Sequence, residues 1–243
     1  VLLFWFTMMG LLVEREVLPN LQARLSLQPH LSITQAQLKR PLRMGIFFLS
    51  QKIGLAEWLV QEEPDGMLKI INSTKIDGSG ILSVQNPIRA EFDLITRLAP
   101  GGRLDSFRLE MDSPLATGLF TGNVVDDKLY LQTKMDKQTP SVKIIPFNPR
   151  MLGSTGLFPF YSFPRLSVGS SWNWEVFNPF TQRVEAITVK VKGVETYNKK
   201  DKVFVVGISY GRHEMEALVD KWGQVLRQEF PFGFVLVREE VDY

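Results

Sequence analysis

From residue 42 onward, apolar and polar side chains alternate with a period of two. Phe92, Leu94 and Leu98 lie on one side of their segment, and Glu91, Asp93 and Arg97 lie on the other. The same pattern recurs twice more, with Phe107, Leu109, Met111, Leu129, Leu131 and Met135 on the apolar side. Because successive side chains of a strand point to opposite faces, the alternation predicts strands with one buried and one solvated face.

Segments rich in Gly, Asp, Asn and Pro separate these runs. They lie at residues 50–54, 63–66, 77–80, 99–102, 125–128, 198–201 and 220–223. Such residues supply the backbone angles and side-chain caps of tight reversals. The sequence therefore predicts a mainly β domain, a single curled antiparallel meander sheet or half-barrel of about ten to twelve strands. We expect an apolar concave side, with the loop at residues 147–165 folded across it.

The first thirteen residues, VLLFWFTMMGLLV, contain no charged side chain. A helix that crosses a bilayer needs about 20 apolar residues, so we expect residues 1–13 to be the C-terminal part of a transmembrane helix. Glu14, Arg15 and Glu16 lack the small residues of a signal-peptide cleavage site, which favours an uncleaved anchor. A cleaved signal peptide and a buried core helix are the alternatives.

Few positive charges follow the apolar run. Arg15 and Arg24 are the cations within 20 residues of Val13, and Glu14 and Glu16 offset them. This is not a cytoplasmic flank, so we expect a single-pass protein of a bacterial inner membrane with the bulk of the chain in the periplasm.

Residues 14–41 carry leucines at helical spacing, interrupted by Pro19 and Pro29. This pattern predicts a juxtamembrane amphipathic linker. We therefore divide the chain into residues 1–13, the linker 14–41 and a periplasmic β domain at 42–243.

The composition excludes most catalytic and metal chemistry. There is no Cys, His30 and His213 are the two histidines, and 28 Lys and Arg stand against 26 Asp and Glu. Thiolate zinc sites and cysteine nucleophiles are therefore absent, and the segment HEME at 213–216 lacks the second histidine of a zinc-protease helix. A net charge of +2 gives no strong overall electrostatic field to attract nucleic acid. We expect a non-enzymatic protein with no cofactor, no metal and no nucleic-acid partner.

Two segments resemble a known kind of domain. MGIFFLSQKIGLAEWLV contains Gly45, a β-turn over residues 51–54 and Trp58, and WGQVLRQEFPFGFVLVREE places the turn residue Gly223 before a strand that ends at an acidic pair. From about Leu42 to Glu240 the chain resembles a bacterial periplasmic β domain of unknown function, of the type found ahead of transglutaminase-like modules. Such domains are similar in plan to the half-barrels of lipoprotein carriers. The motifs are structural turns, so the resemblance implies a fold and a location but no catalytic residue.

Aromatic residues cluster between positions 158 and 180. The cluster comprises Phe158, Phe160, Tyr161, Phe163, Trp172, Trp174, Phe177 and Phe180. Either these rings close the open end of the curled sheet as core residues, or they form an exposed hydrophobic surface for docking or ligand binding.

Two functions follow from these features. The first is an accessory or scaffold subunit of an inner-membrane protein complex, with membrane lipids and integral membrane subunits as partners. The alternative is a carrier or sensor that binds a lipid or other hydrophobic ligand in the concave face of the sheet.

Overall fold

The computed structural model describes residues 41–78, 89–100, 102–136, 138–148, 166–178, 181–198, 201–211 and 213–239, apart from the side chains of Trp174 and Phe232. The expected transmembrane segment, the linker and most of the loop at 147–165 lie outside these residues. Within the described ranges, no helix combines the length and the apolar character that a membrane span requires.

Fourteen strands make up most of the described chain. They are β1 (Leu42–Phe48), β2 (Gln51–Glu62), β3 (Leu68–Asp77), β4 (Arg89–Leu98), β5 (Leu104–Asp112), β6 (Thr117–Val125), β7 (Lys128–Met135), β8 (Ser141–Pro146), β9 (Ser171–Asn178), β10 (Arg183–Tyr197), β11 (Asp201–Tyr210), β12 (His213–Val219), β13 (Val225–Glu229) and β14 (Phe234–Glu239). A short 3₁₀ helix, Pro231–Gly233, joins the last two. All fourteen belong to one antiparallel sheet in the order β8-β7-β6-β5-β4-β3-β2-β1-β14-β13-β12-β11-β10-β9.

The predicted mainly β fold with a single antiparallel sheet is confirmed, but the expected strand number is too low. Five reversals were not predicted, because each contains at most one Gly and no Asn. They lie at residues 113–116, 136–140, 182 and 211 and at the 3₁₀ helix. At 113–116, for example, Ser113 builds the turn: its hydroxyl oxygen accepts from the N–H of Ala116 at 3.1 Å.

One turn lies three residues before its expected position. The sequence placed it at 51–54, whereas Phe48 pairs with Gln51 and the two-residue loop is Leu49 and Ser50. Gly54 is instead inside β2, where a Cβ would lie 2.3 Å from the carbonyl oxygen of Lys75 on β3. The glycine marks a close approach of two strands rather than a turn.

The single sheet consists of two meanders joined side by side, whereas the sequence predicted one meander. β1–β8 form the first and β9–β14 the second, and β14 returns to pair with β1 from Arg43↔Glu239 to Phe48↔Phe234. The outer edge strands are consequently β8 and β9.

The sheet curls far enough that side chains from its two outer parts come into contact. Lys143 Nζ donates to the carbonyl oxygen of Gln182 at 3.1 Å, and Gln182 Nε2 donates to Thr133 Oγ1 at 3.1 Å. The rings of Phe107 and Phe177 approach to 5.9 Å between centroids. We call this contact the seam, and no backbone ladder between β8 and β9 crosses it in the described residues.

The alternating apolar residues line the inside of the curl as predicted. Leu94, Leu98, Leu109, Leu129 and Leu131 are buried in one core, with Phe92 and Met135 packed against it. Charged pairs such as Lys75–Glu91, Lys192–Glu216 and Arg227–Glu229 bridge strands or neighbouring positions on the outer face at 2.8–3.3 Å.

Antiparallel strands place alternate turns at opposite ends of the sheet. The rim end carries the turns at 49–50 and 113–116 and the helix Pro231–Gly233, and the base end carries the turns at 63–67, 126–127 and 220–224.

Candidate ligand pocket

A pocket of about 290 Å³ lies on the inner face of the sheet, over β1–β5 and β14. Its volume is close to the lower limit of the roughly 300–1,000 Å³ typical of small-molecule sites. The pocket is lined by Ile46, Ala56, Trp58, Asn72, Thr74, Ile76, Phe92, Leu94, Leu109, Phe230, Phe234, Val235 and Leu236.

The pocket exists because short side chains meet in one cross-strand row. Register pairs Met44 with Ala56, Ala56 with Thr74, and Thr74 with Phe92. Directly opposed residues are the closest neighbours on a sheet face, so two small side chains side by side leave a gap. One step toward the base end, larger neighbours such as Trp58 and Leu94 narrow it.

The pocket opens toward the rim end. On β3 the inward side chains pass from buried at Ile70 to half-buried at Thr74 and Ile76. On β4 they pass from buried at Leu98 to half-buried at Phe92. At the opening, the ring of Phe234 packs on Phe48 with 4.8 Å between centroids.

Two side chains supply the polar groups of the lining. Asn72 Nδ2 donates to the carbonyl oxygen of Glu57 at 3.1 Å, and Thr74 Oγ1 donates to Asn72 Oδ1 at 3.3 Å. These groups bond to one another and to the backbone, so the wall accepts an apolar molecule at little cost in lost hydrogen bonds.

None of the described residues that line the pocket is ionisable. Away from the pocket, in the turn after β7, hydrogen bonds from Thr117 lower the pKa of the Asp136 carboxyl group. No group of three or more His, Asp or Glu able to hold a metal ion occurs among the described residues. The lining therefore offers an incoming molecule mainly apolar contacts.

Trp172 and Phe177, the two residues of the aromatic cluster whose side chains the structure describes, do not line this pocket. Trp172 and Phe177, on edge strand β9, are core residues with exposures of 7% and 3%. Trp174 lies in β9 opposite Ile187. Phe158, Phe160, Tyr161, Phe163 and Phe180 lie outside the described residues. For the cluster as a whole, the docking surface stays a prediction.

Sequence reasoning found the inward position of Phe92, Leu94 and Leu109 but not the pocket. The available signal was the inward row of β3, where Asn72 and Thr74 interrupt large apolar residues. Their significance depends on Ala56 lying opposite Thr74, which only the register reveals.

Comparison with known proteins supports the fold. No protein-family profile matches the sequence, and no curated protein matches it. A β-barrel-like protein of the domain of unknown function DUF1849 from Brucella abortus superposes with a TM-score of 0.53 at 12% identity, covering 83% of this chain and 95% of that one. A DUF1089-family protein from Pseudomonas aeruginosa gives a TM-score of 0.42 at 12% identity, over 73% and 90% of the two chains. The chain thus has a β-barrel-like fold similar to that of a domain of unknown function.

Proposed function

We propose that this protein binds a hydrophobic small molecule, such as an acyl chain, in the interior pocket. The observation that carries the proposal is an uncharged, largely apolar cavity that opens at one end of a sheet whose outer face is charged. Apolar ligands gain free energy by leaving water for such a cavity.

A fluorescent fatty acid titrated into the purified full chain tests this proposal. Thr74→Phe places a ring in the narrow cross-strand row and is expected to weaken binding by about tenfold or more, since filling the cavity removes the ligand's contacts. Ser73→Phe is the matched control, because Ser73 is the neighbouring residue on β3 and faces the opposite side of the sheet.

Unchanged affinity in Thr74→Phe, or an equal loss in Ser73→Phe, would contradict the proposal. Organic extracts of the protein purified from cells provide a second measurement. The expected result is a bound lipid that is depleted in Thr74→Phe and retained in Ser73→Phe.

An accessory-subunit role is the second candidate, and the outer face of β8 favours it. Val142 and Ile144 are 64% and 56% exposed there, and Ile144 lies opposite the exposed Tyr130 on β7. Apolar side chains on an edge strand are a common basis for association with another chain. Native mass spectrometry after mild detergent extraction tests this role, which predicts a co-purifying subunit that is lost in Val142→Lys. A monomer would contradict it.

The membrane anchor at residues 1–13 and the periplasmic location remain predictions from the sequence. Both fit a protein that handles lipid.

A further inference from the structure

Two exposed leucines stand at the rim end, where the pocket opens. Leu49 is 73% exposed in the turn between β1 and β2, and Leu115 is 95% exposed in the turn between β5 and β6. Leu49 directly follows Phe48, whose ring packs on the pocket residue Phe234. Both leucines therefore belong to turns at the end of the sheet where the pocket opens.

The folding of its turn does not account for Leu49. Leu49 and Ser50 have φ values of +48° and +67°, and two-residue hairpin turns of this kind favour Asn, Asp and Gly. The chain follows that preference at the base end, where Asp126 and Asp127 adopt nearly the same angles, +47° and +55°. A leucine at Leu49 is thus both unfavourable for the backbone and exposed to water.

Packing does not account for Leu115 either. The backbone and hydroxyl of Ser113 both bond to Ala116, so these hydrogen bonds hold the turn while Leu115 remains almost fully exposed. Exposed apolar side chains at separate turns beside a pocket opening are more informative than scattered ones.

We propose that the rim end docks on the surface of a lipid bilayer, with Leu49 and Leu115 inserted among the lipids. An apolar ligand then passes between the bilayer and the pocket without crossing water. This inference rests on the proposed binding function. A bilayer suits these residues better than a protein groove, because two single side chains on separate turns need an apolar phase and not a complementary surface.

The base end provides a matched comparison. Two apolar residues are exposed there: Val125, the last residue of β6, and Trp222, in the turn at 220–224. The turn that contains Trp222 has residues that favour a turn. Asp220 Oδ1 accepts from the N–H groups of Trp222 and Gln224 at 2.8 Å, and Gly223 occupies the position with a positive φ of +81°.

Site-directed fluorescence measures which end meets the bilayer. The chain contains no Cys, so a single Cys at 49, 115, 125 or 222 carries a polarity-sensitive label without further changes. The full chain is reconstituted in phosphatidylcholine nanodiscs with and without doxyl-labelled phosphatidylcholine. The labels at 49 and 115 are expected to shift to the blue and to be quenched by the doxyl lipid, while those at 125 and 222 keep a water-like spectrum.

Every other pattern overturns the proposal. Quenching at 125 and 222 but not at 49 and 115 places the opposite end on the membrane. Quenching at all four positions or at none removes the end-on orientation, and quenching at only one of 49 and 115 removes the paired insertion.

Ligand exchange provides a second readout. The transfer of a fluorescent fatty acid from donor vesicles to the full chain is expected to slow by about tenfold in the double variant Leu49→Ser and Leu115→Ser, because the pocket then fills only through water. Val125→Ser with Trp222→Ser is expected to leave the rate unchanged. An unchanged rate in the first variant, or an equal loss in the second, contradicts docking at the rim end.

The two proposals fail in different ways. Rim labels that are quenched while Thr74→Phe binds the fatty acid normally disprove the pocket and keep the docking. A Thr74→Phe defect with unquenched rim labels keeps the pocket and disproves the docking.

Discussion

Gly122, on the inner face of β6, leaves room for a neighbouring core side chain because it has no Cβ. A Cβ there would lie 2.1 Å from Cε1 of Phe107. Phe107 is itself buried and packs against Phe177 across the seam, so displacing its ring disturbs the packing of the core. Gly122→Ala is therefore expected to lower the free energy of unfolding by about 1–3 kcal/mol, measured by urea denaturation.

The control for this change is Gly193 on β10, where a Cβ would meet no atom within 4 Å. Gly193→Ala is expected to leave stability unchanged or to raise it by up to about 0.5–1 kcal/mol, since alanine has less freedom to lose on folding. Equal destabilisation by both variants would show that the close contact at Gly122 is not the cause.

Asp136 links stability to acid pH. Its Oδ1 accepts from the N–H and the hydroxyl of Thr117 at 2.7 and 2.9 Å, and these bonds hold the pKa of the carboxyl below its ordinary value of 3.8. As the pH falls, the Asp136 carboxyl group therefore takes up its proton at a higher pH in the unfolded chain than in the folded chain. The stabilisation is fully present above pH 3.8 and is lost as pH falls through the lower pKa of the folded state.

Asp136→Asn tests this linkage by urea unfolding at a series of pH values. The stability difference from the natural chain is expected to be constant near neutral pH and to shrink as the pH falls below 3.8. Asp112→Asn, an exposed Asp at the end of β5, is the comparison. A difference that does not change with pH would contradict the linkage.

At the scale of one element, the leucine that the proposed docking needs in the β1–β2 turn is expected to lower the stability of the fold. Leu49→Asn is expected to raise the free energy of unfolding by about 0.5–1 kcal/mol, because Asn tolerates a positive φ that leucine does not favour. Leu115→Asn, at a turn residue without a positive φ, is expected to change stability by less than about 0.5 kcal/mol. Thermal unfolding of both variants measures this, and a loss of stability in Leu49→Asn would show that the leucine serves the fold.

The edge strands are expected to open locally before the rest of the sheet. Among the described residues β8 has a ladder on one side only, and at the seam Gln182 Nε2 donates to Thr133 Oγ1. Thr133→Val keeps the shape of the side chain and removes this acceptor. The free energy of local opening of β8, measured by hydrogen exchange, is therefore expected to fall by about 0.5–1.5 kcal/mol, while that of β2–β4 stays unchanged. Thr188→Val removes a hydroxyl bond to Asn173 on the outer face instead, and is expected to leave β8 unaffected. A uniform change across all strands would contradict local opening.

The same elements show how far sequence reasoning extends. Alternation identified the buried sides of β4, β5 and β7 because the side-chain period is a local property. The turns at Asp126 and Gly223 were found for the same reason, whereas those at Asp136 and Gly211, which also have positive φ, were not. The turn at Leu49 was misplaced because its residues are those that such a turn disfavours.

For the whole molecule, closure depends on contacts that no local pattern marks. β1 and β14 pair Arg43 with Glu239 from nearly opposite ends of the described chain, and the seam joins Lys143 to Gln182. A meander prediction follows hairpins one after another and therefore leaves both contacts out. The pocket depends on the first of them, because Phe234, Val235 and Leu236 of β14 complete its wall.

The β1–β14 ladder should accordingly make the two meanders unfold together. Leu236 is buried, lines the pocket and lies between Ile46 of β1 and Gln228 of β13. Leu236→Ala is expected to cost about 2–5 kcal/mol, and hydrogen exchange should show the same loss in β3 of one meander and β11 of the other. It is also expected to weaken fatty-acid binding. Val237→Ala, one residue along and on the opposite face, is the control with a smaller cost and normal binding. A loss confined to β9–β14 would show instead that each meander is stable alone and that the pocket wall is held by only one of them.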